Sequence, residues 1–226
     1  MNELRFASRW LAILLLTQLA VAPIANFKLV GPAFQGAGGF LVNAAPHATA
    51  LASAALLSFA LAVVSAGIAV VLWPVLRPVS ERLALGLAVL GAAGIALSGL
   101  EVTAMLSMLS LSQAYVAAGA PDEALYQGLR GVVGAQRNWA HLVQLLASGA
   151  LLLAMYAALF RLRLVPRWLS GFGMLAAVSQ MIAVTKPLFG GWVVFPMLAP
   201  LGISNLLLIG WLLWKPNVEA AAAKAG

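Results

Sequence analysis

The chain contains no cysteine. That absence excludes disulfides, thiolate metal centres and cysteine nucleophiles, and says nothing of the redox compartment. Charge is scarce too: Asp, Glu, Lys and Arg make up 8% of the 226 residues, with 6 acidic side chains in all, against roughly 25% in soluble globular chains. No basic run carries interleaved aromatics, so the net charge of +7 gives no ground for a nucleic-acid partner. A phosphate-binding glycine loop, a spaced Ser-His-Asp arrangement and a paired acidic motif for metal–diphosphate chemistry are also missing. No internal repeat supports inverted symmetry between two groups of three helices.

What is present is apolar. The composition is 63% hydrophobic with a mean hydropathy of +1.01, which belongs in a bilayer. Stretches free of Asp, Glu, Lys and Arg cover 10–27, 29–76, 83–100, 102–121, 138–160, 168–185 and 187–214, and a spanning helix needs roughly 17–25 apolar residues. The third and fourth stretches read as one helix interrupted by Glu101. The expected fold class is therefore all-α: a polytopic protein with six transmembrane helices in one bundle, at about 8–25, 49–73, 83–115, 136–160, 168–185 and 196–214. Spans and short connections use up residues 1–226 as a single transmembrane domain, with no room for a separate soluble domain of about 100 residues.

Loop charges set the expected orientation. With both termini cytoplasmic, Arg5, Arg9, Arg77, Arg82, Arg161, Arg163, Arg167, Lys215 and Lys224 lie inside and Lys28, Arg130, Arg137 and Lys186 outside, nine against four. This bias predicts a multi-pass protein of the cell inner membrane. Arg5 and Arg9 ahead of an apolar run, and Ala20-Val21-Ala22, imitate a signal peptide. Pro23 directly after them argues against cleavage, so an uncleaved first helix is expected.

Between the first two helices, residues 26–46 contain Gly31-Pro32 and Gly38-Gly39, which predicts an outer loop rather than a span. Its Phe27, Phe34 and Phe40 suggest folding back on the bundle or lying in the interface. Pro74 and Pro78 are expected to end the second helix. Small residues at Ala50, Ala54, Ser58, Ala62 and Ala66, and at Ala84, Ala88, Ala92 and Ala96, predict close contact between helices 2 and 3. Gly119, Pro121, Asp122 and Glu123 read as a turn with acidic cap residues, followed by a short amphipathic stretch through Arg130. Pro196 and Pro200 fall in the first turns of the last helix, where a missing amide donor costs least.

Glu101 lies about 18 residues into helix 3, roughly 27 Å at 1.5 Å per residue, in the outer third of a ~30 Å core. A carboxylate at that depth must be protonated, paired or wetted. Helix 4 enters from the same side, with Arg137, His141 and Gln144 on one face at i, i+4 and i+7. Asn138, Lys186 and Gln180 enter the same outer layer. An outward-facing polar chamber follows, in which His141 or Arg137 would neutralise Glu101. The plainer alternative is that Glu101 hydrogen-bonds His141 or Gln144 only to fix helix packing. A metal site from His47, His141 and Glu101 lacks ligand spacing, so neither a metal nor a cofactor is expected.

Three segments together carry a family resemblance. They are Leu72-Trp73-Pro74-Val75-Leu76-Arg77-Pro78-Val79-Ser80-Glu81-Arg82, Asn138-Trp139-Ala140-His141, and Phe160-Arg161-Leu162-Arg163-Leu164-Val165-Pro166-Arg167-Trp168. The chain resembles, over nearly its whole length, the "domain of unknown function 4386" family of bacterial multi-pass membrane proteins. That resemblance implies an Arg-x-x-Glu in the third helix and a His near the start of the fourth. Glu101 and His141 match the two, whereas Ser98 stands at the Arg position and removes the intrahelical counter-ion.

Three functions compete at this stage. The first is small-molecule binding or transport, for an apolar or amphipathic ligand, through the chamber around Glu101 and His141. An intramembrane enzyme is the second, with Glu101 as general acid toward a lipid or isoprenoid and Trp139, Trp192 and Phe195 as lining. Third is an accessory or structural subunit without a site, meeting a homo-oligomer partner or another membrane protein through the small-residue faces.

Overall fold

The computed structural model describes residues 2–121 and 124–214. The expected caps Asp122 and Glu123, the inner charges Lys215 and Lys224, and the Ala-rich tail lie outside the described residues. Every regular element among the described residues is helical: α1 (Asn2–Pro23), α2 (Gly31–Phe34), α3 (Phe40–Asn43), α4 (Ala48–Leu76), α5 (Glu81–Ala117), α6 (Ala124–Leu162), α7 (Arg167–Thr185) and α8 (Ala199–Trp214). Six helical stretches are long and apolar enough to cross a membrane: Glu3–Phe34, Ala45–Leu76, Glu81–Ala117, Ala124–Leu162, Arg167–Phe189 and Phe195–Trp214. Large apolar side chains such as Leu56, Val70, Phe27 and Leu175 stand outward on them, as lipid-facing residues do. This is a multi-pass membrane protein.

Four boundaries differ from the expectation, the first being that α1 begins at Asn2 rather than near residue 8. The first span does not stop near residue 25, because α1 runs into a π-helical segment, Ile24–Val30, and then into α2. The amide of Gly31 reaches the carbonyl of Asn26, five residues back. That wider turn leads directly to Pro32, which sits in the first turn of α2, where its missing N–H is an orphan position anyway. The supposed loop is thus mostly helix. Likewise, the amphipathic stretch before residue 136 is the first third of α6; its three glycines and Arg130 weaken the apolar signal without breaking the helix. Pro74 lies inside α4, which continues to Leu76, and the chain turns only at Arg77 to Ser80.

The chain divides into two compact units, Met1–Leu19, Val63–Gly94 and Leu145–Gly226 in one, and Ala20–Ala62 with Ile95–Gln144 in the other. In the first, Leu11, Leu15, Ile68, Leu72, Leu87, Leu151, Met155, Leu159, Leu208 and Leu212 form the core. Lipid tails are as apolar as these side chains, so close packing and polar links, rather than burial from water, must hold such helices together. Links of that kind are present. Ser65 donates to Gln18 at 3.0 Å, and the fully buried Tyr156 hydroxyl donates to Asn205 Oδ1 at 2.8 Å and lies 3.1 Å from Ser204 Oγ. Gly173 of α7 faces the Tyr156 ring so closely that a Cβ there would collide with it.

In the second unit, Val30, Ala33, Phe40, Leu51, Ala54, Met105, Met108 and Leu109 make the core. The connection from α2 to α3 is held by one side chain: Asn43 Nδ2 donates to the carbonyls of Gln35, Ala37 and Gly39 at 2.9, 3.3 and 3.0 Å. Gly38 has φ +82° and a Cβ there would run into Val42, so the tight path needs glycine. The amide of Ala45 donates to the buried Ser112 hydroxyl at 2.8 Å.

Helix α5 corrects the expected small-residue stripe. Ala92 and Ala96 are exposed. The inward line is instead Ala84, Leu87, Gly91, Ser98, Met105, Met108 and Ser112, in steps of three, four and seven. Successive four-residue steps advance about 40° beyond a full turn, so Ala84 to Ala96 walks about 120° round the helix, whereas a mean step of about 3.5 keeps facing its partner. The contact with α4 is nevertheless close in each unit. An added Cβ on Gly91 would stand 3.2 Å from Ala66 Cα, and Ser98 Oγ donates to the Ser58 carbonyl at 3.4 Å.

Candidate functional site

Glu101 continues the inward line of α5, three residues beyond Ser98 and four before Met105. Facing it are Arg137 and His141, one turn apart on α6, all three within the second unit. His141 Nδ1 lies 2.7 Å from Glu101 Oε1, a hydrogen bond of the length that charge-assisted pairs show. Arg137 Nη2 stands 3.8 Å from the same oxygen, and the side chains of Arg137 and Glu101 are only 17% and 14% exposed. The Arg137 guanidinium also lies over the Phe34 ring, 5.4 Å from its centroid, where the cation meets the ring's negative face.

The shared oxygen orders the chemistry. With Nδ1–H committed to the carboxylate, the imidazole is fixed in ring orientation and tautomer, as in carboxylate–histidine pairs generally. Nε2 is then the free nitrogen, an acceptor when His141 is neutral and a donor when it is charged, and it has no hydrogen-bond partner among the described residues. Arg137 supplies the permanent positive charge.

The other expected site residues are placed as follows. Gln144 is half-buried one turn beyond His141 and makes no hydrogen bond among the described residues. Asn138 is exposed. Gln180 and Lys186 belong to the other unit. There Gln180 is buried and donates to the carbonyl of Leu145 at 3.1 Å, and Lys186 is exposed. Trp192 and Phe195 are exposed as well. His47 makes a local contact, its Nδ1 lying 2.8 Å from the Asn43 carbonyl oxygen.

One partner of the site, Phe34, and one nearby contact, that of Arg130 with Gly39, went unrecognised in the sequence. Phe34 was legible only as one aromatic of a segment expected to fold back, and nothing in the spacing singled it out for Arg137. Arg130, two turns before Arg137 on α6, lies against Gly39, where a Cβ would stand 2.8 Å from its Nη2. A glycine opposite an arginine is a pairing that one sequence cannot display.

A family model described as "Domain of unknown function (DUF4386)" matches residues 10–215. The chain belongs to that family. No curated protein and no solved structure matches it. Membership in DUF4386 fits the six apolar spans and attaches no reaction to them. The matched region includes α5 and α6 with Glu101, Arg137 and His141, and Ser98 in place of the arginine expected one turn before the glutamate. In this DUF4386 chain the cation beside Glu101 is Arg137 of α6.

Proposed function

We propose that this DUF4386 protein binds a small amphipathic molecule in the membrane, for transport or sensing, at the cluster of Glu101, His141 and Arg137. The single observation that carries the reading is the 2.7 Å His141–Glu101 bond, which orients an imidazole whose other nitrogen remains free for a ligand. In this reading His141 touches the ligand, Glu101 sets its orientation, and Arg137 stands beside the carboxylate as its counter-charge. Asn138 and Gln144 flank it along α6. Both termini face the cytoplasm, the protein lies in the inner membrane, and the site opens to the outer side.

The test is a thermal-shift screen of the purified protein in lipid nanodiscs against amphipathic amines, alcohols and carboxylic acids, repeated on His141→Gln and Glu101→Gln. At least one class should raise the melting temperature of the parent and leave both folded variants unmoved. Shifts of equal size in parent and variants would remove the site.

The same bond favours a second reading. A carboxylate-oriented imidazole is the arrangement of a general base, so in an intramembrane enzyme His141 would take the proton-transfer role and Glu101 would steady it. Turnover lost in His141→Gln, with binding retained, would select this reading over the first.

A further inference from the structure

Helices α7 and α8 leave an open groove on the lipid side of the first unit, with a volume of about 560 Å³. That volume lies within the roughly 300–1,000 Å³ of small-molecule sites. Its walls are apolar: Trp168, Leu206, Leu207, Gly210, Trp211 and Trp214. Leu206 and Trp214 are eight residues apart, so the groove extends about 12 Å along α8 at roughly 1.5 Å per residue. It narrows at no side chain of Gly210, where an added Cβ would meet nothing within 4 Å.

No charged side chain lines the groove, but basic residues precede its Trp168 in the chain. Trp168 and Trp214 stand on its walls, the latter 86% exposed, as tryptophans do at the headgroup level. Arg161, Arg163 and Arg167 immediately precede Trp168, all exposed. Arg163 holds the turn between α6 and α7 at φ +53°, and Arg167 lies over Phe160, 5.4 Å from the ring centroid. None of the three makes an ion pair among the described residues, and residues 124–214 contain no Asp or Glu at all. An open apolar slot about 12 Å long, with exposed Arg163 and Arg167 close in the chain to its Trp168, complements a molecule with a hydrocarbon tail and an anionic head.

We infer that this groove seats one acyl chain of an anionic glycerophospholipid from the surrounding leaflet, with Arg163 and Arg167 holding its headgroup. The inference is independent of the reading of Glu101, since the groove is built from other residues and carries no group that transfers protons.

Native mass spectrometry of the purified full-length protein, titrated with dioleoylphosphatidylglycerol or dioleoylphosphatidylcholine, tests it. The parent should retain one phosphatidylglycerol at least about fivefold more strongly than phosphatidylcholine. Gly210→Leu, which fills the slot and favours the helix, should lose that adduct. Arg163→Asn with Arg167→Gln should keep a lipid but bind the two headgroups equally; asparagine tolerates the positive φ at 163. Equal retention of both lipids by the parent, or an unchanged adduct in Gly210→Leu, would overturn the proposal. Should Gly210→Leu disturb folding, quenching of the parent's tryptophan fluorescence by chain-brominated lipids decides the matter. Quenching at least twofold stronger by the phosphatidylglycerol supports the proposal, and equal quenching overturns it.

Discussion

Glu101 and Arg137 should be coupled in stability far beyond what exposed ion pairs show. Their charged atoms are 3.8 Å apart with side chains 14% and 17% exposed, and at an effective dielectric of about 20 that separation corresponds to about 4 kcal/mol of attraction. Glu101→Gln keeps the shape and an acceptor for His141 Nδ1, but leaves the guanidinium with only Phe34 beneath it. Losing one partner of a buried pair costs about 3–5 kcal/mol, and weakening the His141 bond from charge-assisted to neutral adds about 1 kcal/mol. Arg137→Gln strands the carboxylate on His141 alone and should cost about as much. The double variant removes both charges and should be less harmed than the sum of the two. A double-mutant cycle by reversible unfolding in bicelles should return a coupling of about 2–4 kcal/mol. A coupling under about 0.5 kcal/mol would refute the reasoning, because it would mean that water or lipid headgroups screen the pair despite its limited exposure.

Gly173→Ala drives a methyl group into the Tyr156 ring, which cannot retreat while its hydroxyl is tied to Ser204 and Asn205. The expected loss is about 1–3 kcal/mol, whereas Gly171→Ala, with open space at its Cβ, should be neutral or stabilise by up to about 1 kcal/mol; thermal unfolding of the two compared with the parent checks the contrast. Asn43→Ala removes three bonds to the chain between α2 and α3, and hydrogen exchange should quicken over residues 35–39 while the amides of α4 and α5 keep their protection. Because the chain has no cysteine, single-cysteine labelling reads topology without background. A membrane-impermeant maleimide applied to intact cells should label Lys28→Cys and Lys186→Cys and spare Arg77→Cys and Arg163→Cys; the reverse pattern would invert the assigned orientation.

The spans were legible because each is a long run of one physical character, and α7 and α8 begin and end within three residues of where the charges and prolines placed them. The boundaries misjudged at Pro32 and Pro74 fell where a local rule met a longer-range one. Gly31-Pro32 breaks an ordinary α-helix, but a π turn just before it supplies a different set of carbonyls. Pro74 lacks an amide, yet it lies close enough to the end of α4 for one more turn to form. The pairing of Glu101 with Arg137 and His141 was legible from depth and direction, since two antiparallel spans put residues of equal depth side by side. Depth also put Gln180 in the same layer, and its side chain meets α6 at the Leu145 carbonyl, a contact that depth alone does not specify. Phe34 was hidden for the complementary reason: the segment bearing it was read as loop, so it had no depth to compare.

The seven-residue repeat along α5 makes its length an arithmetic quantity. One residue inserted between Gly91 and Ser98 would turn everything beyond it by about 100°, carrying Glu101 off the side of the helix that meets α6 and pointing a carboxylate at lipid. Three or four residues would nearly restore the facing, and seven would restore it fully at the cost of moving Glu101 about 10 Å along the axis, away from His141. Substitution among Leu, Val and Ala on the outer side changes none of this. For α5, then, amino-acid identity is loosely constrained over much of the surface, while the residue count from the first turn to the carboxylate is not free to drift at all.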